Sequence, residues 1–137
     1  MKNKLLLHAA VALALVLFSG SVAVSAALPA ADGKIIETAG VNRYEGAVYV
    51  NGSQDVGYRF ATADPVEVVR AWYREQLPAW SLYEEYGGWI LYEGAPGAGL
   101  GELMVKRQVA VKKNEKMNEW FGVDKAKSTE IVIMIPR

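Results

Sequence analysis

Most of the chain after residue 44 shows the apolar–polar alternation, or the short apolar runs, that are typical of β-strands. The segments with this pattern are 47–50, 56–62, 80–86, 89–93, 103–112 and 128–135. The last segment is apolar on both faces, as expected of a strand inside a sheet. Asn51-Gly52 and Gly87-Gly88 each lie between two neighbouring segments. Both pairs predict turns that join the strands as hairpins.

The second hairpin has a predicted register. If Gly87-Gly88 is a two-residue turn, Tyr86 faces Trp89 and Tyr83 faces Tyr92. Aromatic pairs across two antiparallel strands stabilise the pairing and help to fix it.

One segment, residues 65–77, changes to the period of an amphipathic helix. Its apolar arc consists of Val66, Val69, Trp72, Tyr73 and Leu77, and Glu67, Arg70, Arg74 and Glu75 lie opposite. Asp64 is predicted to cap the first free N–H groups, with Pro65 at the first helical position. Glu67 follows three residues after the cap, as in a capping box. Pro78 ends the helix.

The order of these elements is β-β-α-β-β-β-β, which predicts an α+β fold. We expect an antiparallel sheet of about five to six strands with one main helix packed on one face. Residues 114–123 could form a second, short helix. Residues 27–43 are predicted to be an N-terminal lead-in, and 44–137 a single domain.

Residues 1–26 have the pattern of a secretory signal peptide. Lys2 and Lys4 precede an apolar run over 5–18, and small residues follow. Cleavage is predicted after Ala26 or, one residue later, after Ala27. The product would be periplasmic or secreted, touching a membrane only transiently. The alternative is an inner-membrane protein anchored by this helix without cleavage, because an apolar stretch of about 20 residues can span a bilayer.

The composition removes several kinds of chemistry. The chain has no cysteine, and its one histidine, His8, lies in the predicted signal peptide. The mature protein would therefore lack disulfides, Ser-His and Cys-His nucleophiles and the common zinc sites. We expect no metal site and no cofactor.

The charges are divided unevenly along the chain. Residues 27–102 contain five basic and 11 acidic side chains, whereas 103–137 contain eight basic and four acidic ones. This division could steer a charged partner, or it could reflect facing strands of opposite sign. The densest basic cluster is Lys106, Arg107, Lys112, Lys113 and Lys116. Because the mature chain is net acidic, the cluster favours solvated strand edges over nucleic-acid binding.

The best candidate for catalysis is a pair of carboxylates, Glu84 and Glu93. In the predicted hairpin they project from one face as diagonal neighbours, roughly 7–8 Å apart at the backbone. Glycosidases use paired acids at comparable separations, and Trp80 and Trp89 could stack on a sugar. The alternative is two solvated acids on an exposed sheet face.

The aromatic side chains suggest a binding surface. Trp72 and Trp80 are expected in the core, because large aromatics dominate small cores. The sequence does not decide whether Trp89 and Trp120 are buried or exposed. Either one, exposed beside Tyr86 or Phe121, would form an interaction patch.

Residues 94–101 form a glycine-rich loop containing Gly94, Gly97, Gly99 and Gly101. The loop lacks the Gly-Lys-Ser/Thr of a phosphate-binding loop, and a strand is predicted to follow it. It is therefore predicted to be a mobile connector or, alternatively, a gate for a binding groove.

The residues 44–47 (Tyr-Glu-Gly-Ala) and 58–80, with their Asp-Pro-capped helix and "Trp-Tyr-Arg-Glu-Gln-Leu", resemble a pattern in small exported bacterial proteins of unknown function. There the helix joins two parts of an antiparallel sheet. Residues 129–137 fit this pattern loosely. The resemblance implies an α+β fold and export, and it transfers no catalytic residue.

Together these features favour a small exported, non-enzymatic domain that binds an unknown protein or small ligand. The ligand surface would be the open sheet face or the 94–101 loop. The candidate contacts are Glu84, Tyr86, Trp89, Glu93 and Trp120. Two alternatives stay open: a carboxylate-based hydrolase using Glu84 and Glu93, and a structural module that oligomerises through a sheet edge.

Overall fold

The alternating segments form one antiparallel sheet in the computed structural model, which describes residues 27–137. The strands are β1 (Val48–Ser53), β2 (Gly57–Thr62), β3 (Ser81–Tyr83), β4 (Ile90–Tyr92), β5 (Gln108–Lys113) and β6 (Thr129–Met134). The helices are α1 (Ala30–Thr38), α2 (Val66–Gln76), α3 (Leu100–Leu103) and α4 (Met117–Phe121). The sheet order is β1-β2-β6-β5-β4-β3. This arrangement confirms the predicted α+β class. Among the described residues, no helix has the length and apolar character needed to cross a bilayer.

The last strand of the chain lies in the middle of the sheet. In β6, Ile133 opposes Tyr58 of β2 on one side and Val109 of β5 on the other. Ile131 and Ile133 are fully buried. The prediction that residues 128–135 form an inner strand is confirmed by these two neighbours. Ile131 and Ile133 face the covered side of the sheet, whereas Val132 and Met134 alternate with them and are only half-buried.

The main core lies between the sheet and α1 and α2. Its buried side chains are Ile36, Val41, Tyr58, Phe60, Val69, Tyr73, Leu77, Trp89, Leu91, Val109, Val111, Ile131, Ile133 and Ile135. Trp72 and Trp80 pack against this cluster but are only partly buried. Their placement agrees with the expectation that both belong to the core rather than to a ligand site.

The predicted lead-in contains a helix that the sequence did not indicate. Within α1, Ile36 is buried in the core, and Asp32 Oδ1 accepts a 2.8 Å hydrogen bond from the Tyr58 hydroxyl. The segment contains Gly33 and has no side-chain cap, so its intrinsic helix propensity is low. Packing against the sheet stabilises it, and this contribution is invisible in a local pattern.

Helix α2 confirms the predicted helix over 65–77, but Asp64 does not cap it. The helix has no side-chain cap. Instead, the Asp64 carboxylate accepts a 2.6 Å hydrogen bond from the Tyr44 hydroxyl. The Asp64 carbonyl accepts another, also 2.6 Å, from Thr129 Oγ1 of β6. Tertiary partners thus occupy the residue that the capping pattern assigned to the helix.

The predicted register of the second hairpin is wrong by two residues. Tyr83 opposes Ile90, and Ser81 opposes Tyr92. The connection is longer than a two-residue turn, with Gly88 N donating to Glu85 O at 2.9 Å. A two-residue shift keeps each side chain on its predicted face. Tyr83 and Tyr92 consequently still belong to one cluster.

The glycine-rich loop leads into a helical turn, not directly into a strand. The last two residues of the 94–101 segment already belong to α3. Strand β5 begins only at Gln108, so the predicted strand over 103–112 is wrong for its first five residues. The hydroxyl of Tyr92 donates to Ala95 O at 3.1 Å and accepts from Ala98 N at 3.2 Å. The loop is tied to the sheet over a second cluster of Tyr83, Tyr92 and Leu103.

Because Tyr58 donates a hydrogen bond to Asp32, we expect the stability of the fold to decrease at alkaline pH. Burial and the hydrogen bond to Asp32 raise the pKa of Tyr58 from its ordinary value of 10.0 to about 12. The neutral hydroxyl therefore stabilises the fold fully below pH 10, and this contribution is lost as the pH rises from 10 to 12. In urea titrations, Tyr58→Phe should reduce the decline in unfolding free energy over this range.

The matched control is Tyr86→Phe, since Tyr86 is 92% exposed. It should leave the decline unchanged. An equal decline in the wild type and in Tyr58→Phe would contradict the assignment.

Candidate functional site

An open groove of about 770 Å³ lies where β5 ends and β6 begins. Its walls come from the first turn of α2, from α4 and from the two strand ends. Five basic side chains line it: Arg59, Arg70, Lys112, Lys113 and Lys116. Glu67, Glu115 and Glu130 also border it, so its charged lining is net positive. We call this surface the basic groove.

One asparagine holds α4 at the edge of the basic groove. Asn114 Oδ1 accepts a 2.9 Å hydrogen bond from Met117 N at the start of the helix. The Asn114 backbone N donates to Ser128 O at 2.8 Å, across the loop that returns to β6. Met117 is buried beneath the helix. Because a helix of five residues has one inner face, Trp120 and Phe121 are left on the outside.

Trp120 and Phe121 form an exposed aromatic pair at the mouth of the basic groove. Trp120 is 67% exposed and Phe121 46%. Their ring centroids are 6.4 Å apart at an interplanar angle of 88°. Lys116 Nζ lies 5.6 Å from the Trp120 ring centroid, which is a cation–π distance. Large aromatics that stay exposed beside a cation are typical of a binding surface.

A charged triad forms part of the groove lining. Glu130 is buried in β6, and its two carboxylate oxygens lie 3.6 Å from Arg59 Nε and 3.5 Å from Lys112 Nζ. Lys112 directly opposes Glu130 across the sheet. Two cations around one buried carboxylate leave a net positive charge there. The partly exposed heads of Arg59 and Lys112 can attract an anion.

Arg70 joins α2 to the sheet beside the groove. Its Nε and Nη2 atoms donate to the Val111 carbonyl at 3.1 and 3.0 Å. Its guanidinium also lies over the Trp89 ring, 5.3 Å from the centroid. Trp89 is therefore a buried core residue beneath a cation, and it does not offer a face to a ligand.

The structure does not bring Glu84 and Glu93 together as diagonal neighbours. Glu84 follows Tyr83 at one end of the three-residue ladder, whereas Glu93 follows Tyr92 at the other end. Glu93 pairs with Arg107, with Oε2 3.6 Å from Nε. The observed register thus removes the geometric basis for a two-carboxylate hydrolase site.

The remaining predicted site residues are dispersed. Tyr86 lies in the exposed β3–β4 turn. Gly94, Gly97, Gly99 and Gly101 lie in or directly after the loop tied to Tyr92, and none of them lines the basic groove. Ala27 is exposed, and Ala26, the other predicted cleavage position, lies outside the described residues.

The groove is not predicted from the sequence, where the basic cluster is interpreted as solvated strand edges. Strand β5 lies between β6 and β4, so Lys112 and Lys113 stand at the end of an inner strand. One signal for the groove is present in the sequence. Lys112, Lys113 and Lys116 come shortly before Trp120, which places cations and an aromatic ring in one short segment. Arg59, Arg70 and Glu130 are too distant in sequence for that signal to include them.

The basic groove can bind an anionic group together with a flat or apolar one. Lysine ammonium groups attract carboxylates, and exposed aromatic rings provide stacking surfaces. Among residues 27–137, no three Asp or Glu side chains are grouped closely enough to hold a metal ion. Comparison with protein-family models, with curated proteins and with solved structures gives no significant match.

The two contacts of Arg70 predict a specific effect of Arg70→Lys. A lysine keeps the charge but cannot make the forked donation to Val111 O or stack its planar group on Trp89. We expect a loss of about 1.5 kcal/mol in unfolding free energy. Urea denaturation followed by tryptophan fluorescence measures it.

Arg74→Lys, on the exposed face of the same helix, is the matched control and should change the stability little. Equal effects of the two substitutions would show that the Arg70 contacts are not specific.

Proposed function

We propose that this protein is an exported, non-enzymatic binding domain whose ligand occupies the basic groove. The observation that carries the proposal is the exposed pair of Trp120 and Phe121 beside the cations Lys113 and Lys116. Neither lysine forms a salt bridge within residues 27–137. Exposed aromatics and unpaired cations on one concave surface favour a ligand with both acidic and aromatic or apolar groups.

The division of charge supports the same ligand class. Three of the five cations in the basic groove, Lys112, Lys113 and Lys116, come from the basic segment 103–137. The rest of the described chain is acidic. The mature chain would be net acidic, and a positive concave surface on it would focus an anionic partner onto that surface. This location differs from the sheet face and the 94–101 loop that the sequence favoured.

Export is supported by the sequence alone. The basic start, the apolar run and the small residues up to Ala27 match a signal peptide, and the lack of cysteine suits an exported domain without disulfides. We propose cleavage after Ala26 or Ala27, which would release the binding domain into the periplasm or medium.

Peptide titration tests the ligand class. In isothermal titration calorimetry, acetyl-Glu-Glu-Phe-amide should bind more tightly than the Gln-Gln-Phe peptide, and the Lys-Lys-Phe peptide should not bind. Trp120→Ser should weaken binding of the acidic peptide about fivefold, because a cation–π or stacking contact contributes about 1 kcal/mol.

Val68→Ser is the control, since Val68 is 51% exposed on α2 and does not line the basic groove. Its affinity should equal that of the wild type. Equal affinity for all three peptides would contradict an anion-selective groove.

Mass spectrometry tests the export proposal. Protein expressed from the full sequence in a bacterial host should lose residues 1–26 or 1–27 and be recovered from the periplasmic fraction or medium. A product that keeps Met1 and sediments with membranes would support the anchored alternative.

A further inference from the structure

The turn between β3 and β4 has the chemistry that the basic groove selects. We call residues 84–88 the acidic turn. Glu84, Glu85 and Tyr86 are all exposed, and Tyr86 is the most exposed large apolar side chain among residues 27–137. Two carboxylates followed by an aromatic ring complement two lysines beside an aromatic pair.

The backbone of the acidic turn is strained at this aromatic residue. Tyr86 has φ +52°, and within residues 27–137 it is the one non-glycine residue with a positive φ. A bulky side chain is unfavourable in this left-handed region, where glycine is tolerated freely. Strain of this kind is concentrated at functional sites. A fully exposed tyrosine in a strained turn has no evident stabilising role in the monomer.

The opposing charges stay unpaired within one molecule. No salt bridge among residues 27–137 involves Glu84, Glu85, Lys113 or Lys116. Gly87 of the acidic turn borders the basic groove, so the two features lie side by side at one end of the molecule. Tyr86 does not line the groove of its own chain. The turn is therefore adjacent to a complementary surface that it does not fill.

We propose that a second copy of this chain binds in the basic groove, with each acidic turn entering the groove of the other copy. Because turn and groove share one end of the molecule, a two-fold axis beside them satisfies both contacts at once. Such an isologous contact closes as a dimer and does not extend into a filament. The inference rests on the proposed function, and it names the partner.

The dimer should be weak and sensitive to salt. Tyr86, Trp120 and Phe121 from both copies would together bury on the order of 1,000 Å². This area is at the low end for a specific interface, so we expect a dissociation constant that is roughly micromolar or weaker. The exposed ion pairs would be screened as the ionic strength rises.

Reciprocal charge reversal tests the dimer. The turn variant carries Glu84→Lys and Glu85→Lys, and the groove variant carries Lys113→Glu and Lys116→Glu. Each variant alone should be monomeric in sedimentation equilibrium, because like charges face each other. An equimolar mixture should recover the dimer, since both contacts then join opposite charges. The control, Lys34→Glu with Lys125→Glu, changes exposed lysines outside the turn and the groove and should dimerise like the wild type.

A second variant separates association from folding. Tyr86→Gly removes the aromatic ring and fits the positive φ, so it should weaken the dimer at least tenfold without lowering the thermal unfolding temperature of the monomer. A large loss of monomer stability would show that Tyr86 has a structural role and would overturn the proposal.

Three further outcomes are decisive. A wild type that stays monomeric at 500 µM and low salt, or variants whose mixture stays monomeric, would overturn the dimer. A dimer that persists in both charge-reversal variants would place the contact elsewhere and also overturn it.

If a monomeric wild type still binds acetyl-Glu-Glu-Phe-amide, only self-association fails, and a foreign acidic partner occupies the groove. If that peptide does not bind either, the proposed function fails as well.

Discussion

The insertion of β6 between β2 and β5 is the pairing on which the rest of the structure depends. It joins β1 and β2, formed by the first half of the chain, to β3, β4 and β5. The same strand supplies Thr129, which bonds to the loop before α2, and Glu130 in the basic groove. Closing such a long-range pairing costs chain entropy before its contacts form. The groove consequently exists only once the last strand is in place.

Hydroxyl and guanidinium groups tie the helices to this sheet and to the loop between α1 and β1. Tyr58 binds Asp32 of α1, Tyr73 donates to the Asn42 carbonyl, and Arg70 donates to Val111. Burial of these groups is tolerated because each hydroxyl and the guanidinium has a hydrogen-bond partner. Much of the aromatic content that suggested ligand binding is thus part of the core. Trp120 and Phe121 differ from these aromatic residues because their side chains are exposed and do not belong to the core.

The basic groove and the acidic turn result from the same topology. The inner strand β5 ends in lysines, and the hairpin beside it ends in glutamates. Adjacent strands bring these ends to one side of the molecule, so charges far apart in sequence become neighbours. Among residues 27–137, these lysines and glutamates nevertheless form no salt bridge with each other. The proposed dimer would place these opposite charges in contact, which links the fold to the proposed association.

Short-range periodicity in the sequence is enough to predict the α+β class, helix α2 and the buried last strand. The other features depend on contacts between distant parts of the chain. Helix α1 depends on packing of Ile36, Asp64 bonds to Tyr44 and not to the helix, and the β3–β4 register follows a longer turn. These features escaped local patterns because their stabilising partners lie 20 or more residues away or require an exact turn geometry. The groove escaped for the same reason, since only the assembled sheet brings its cations and aromatics together.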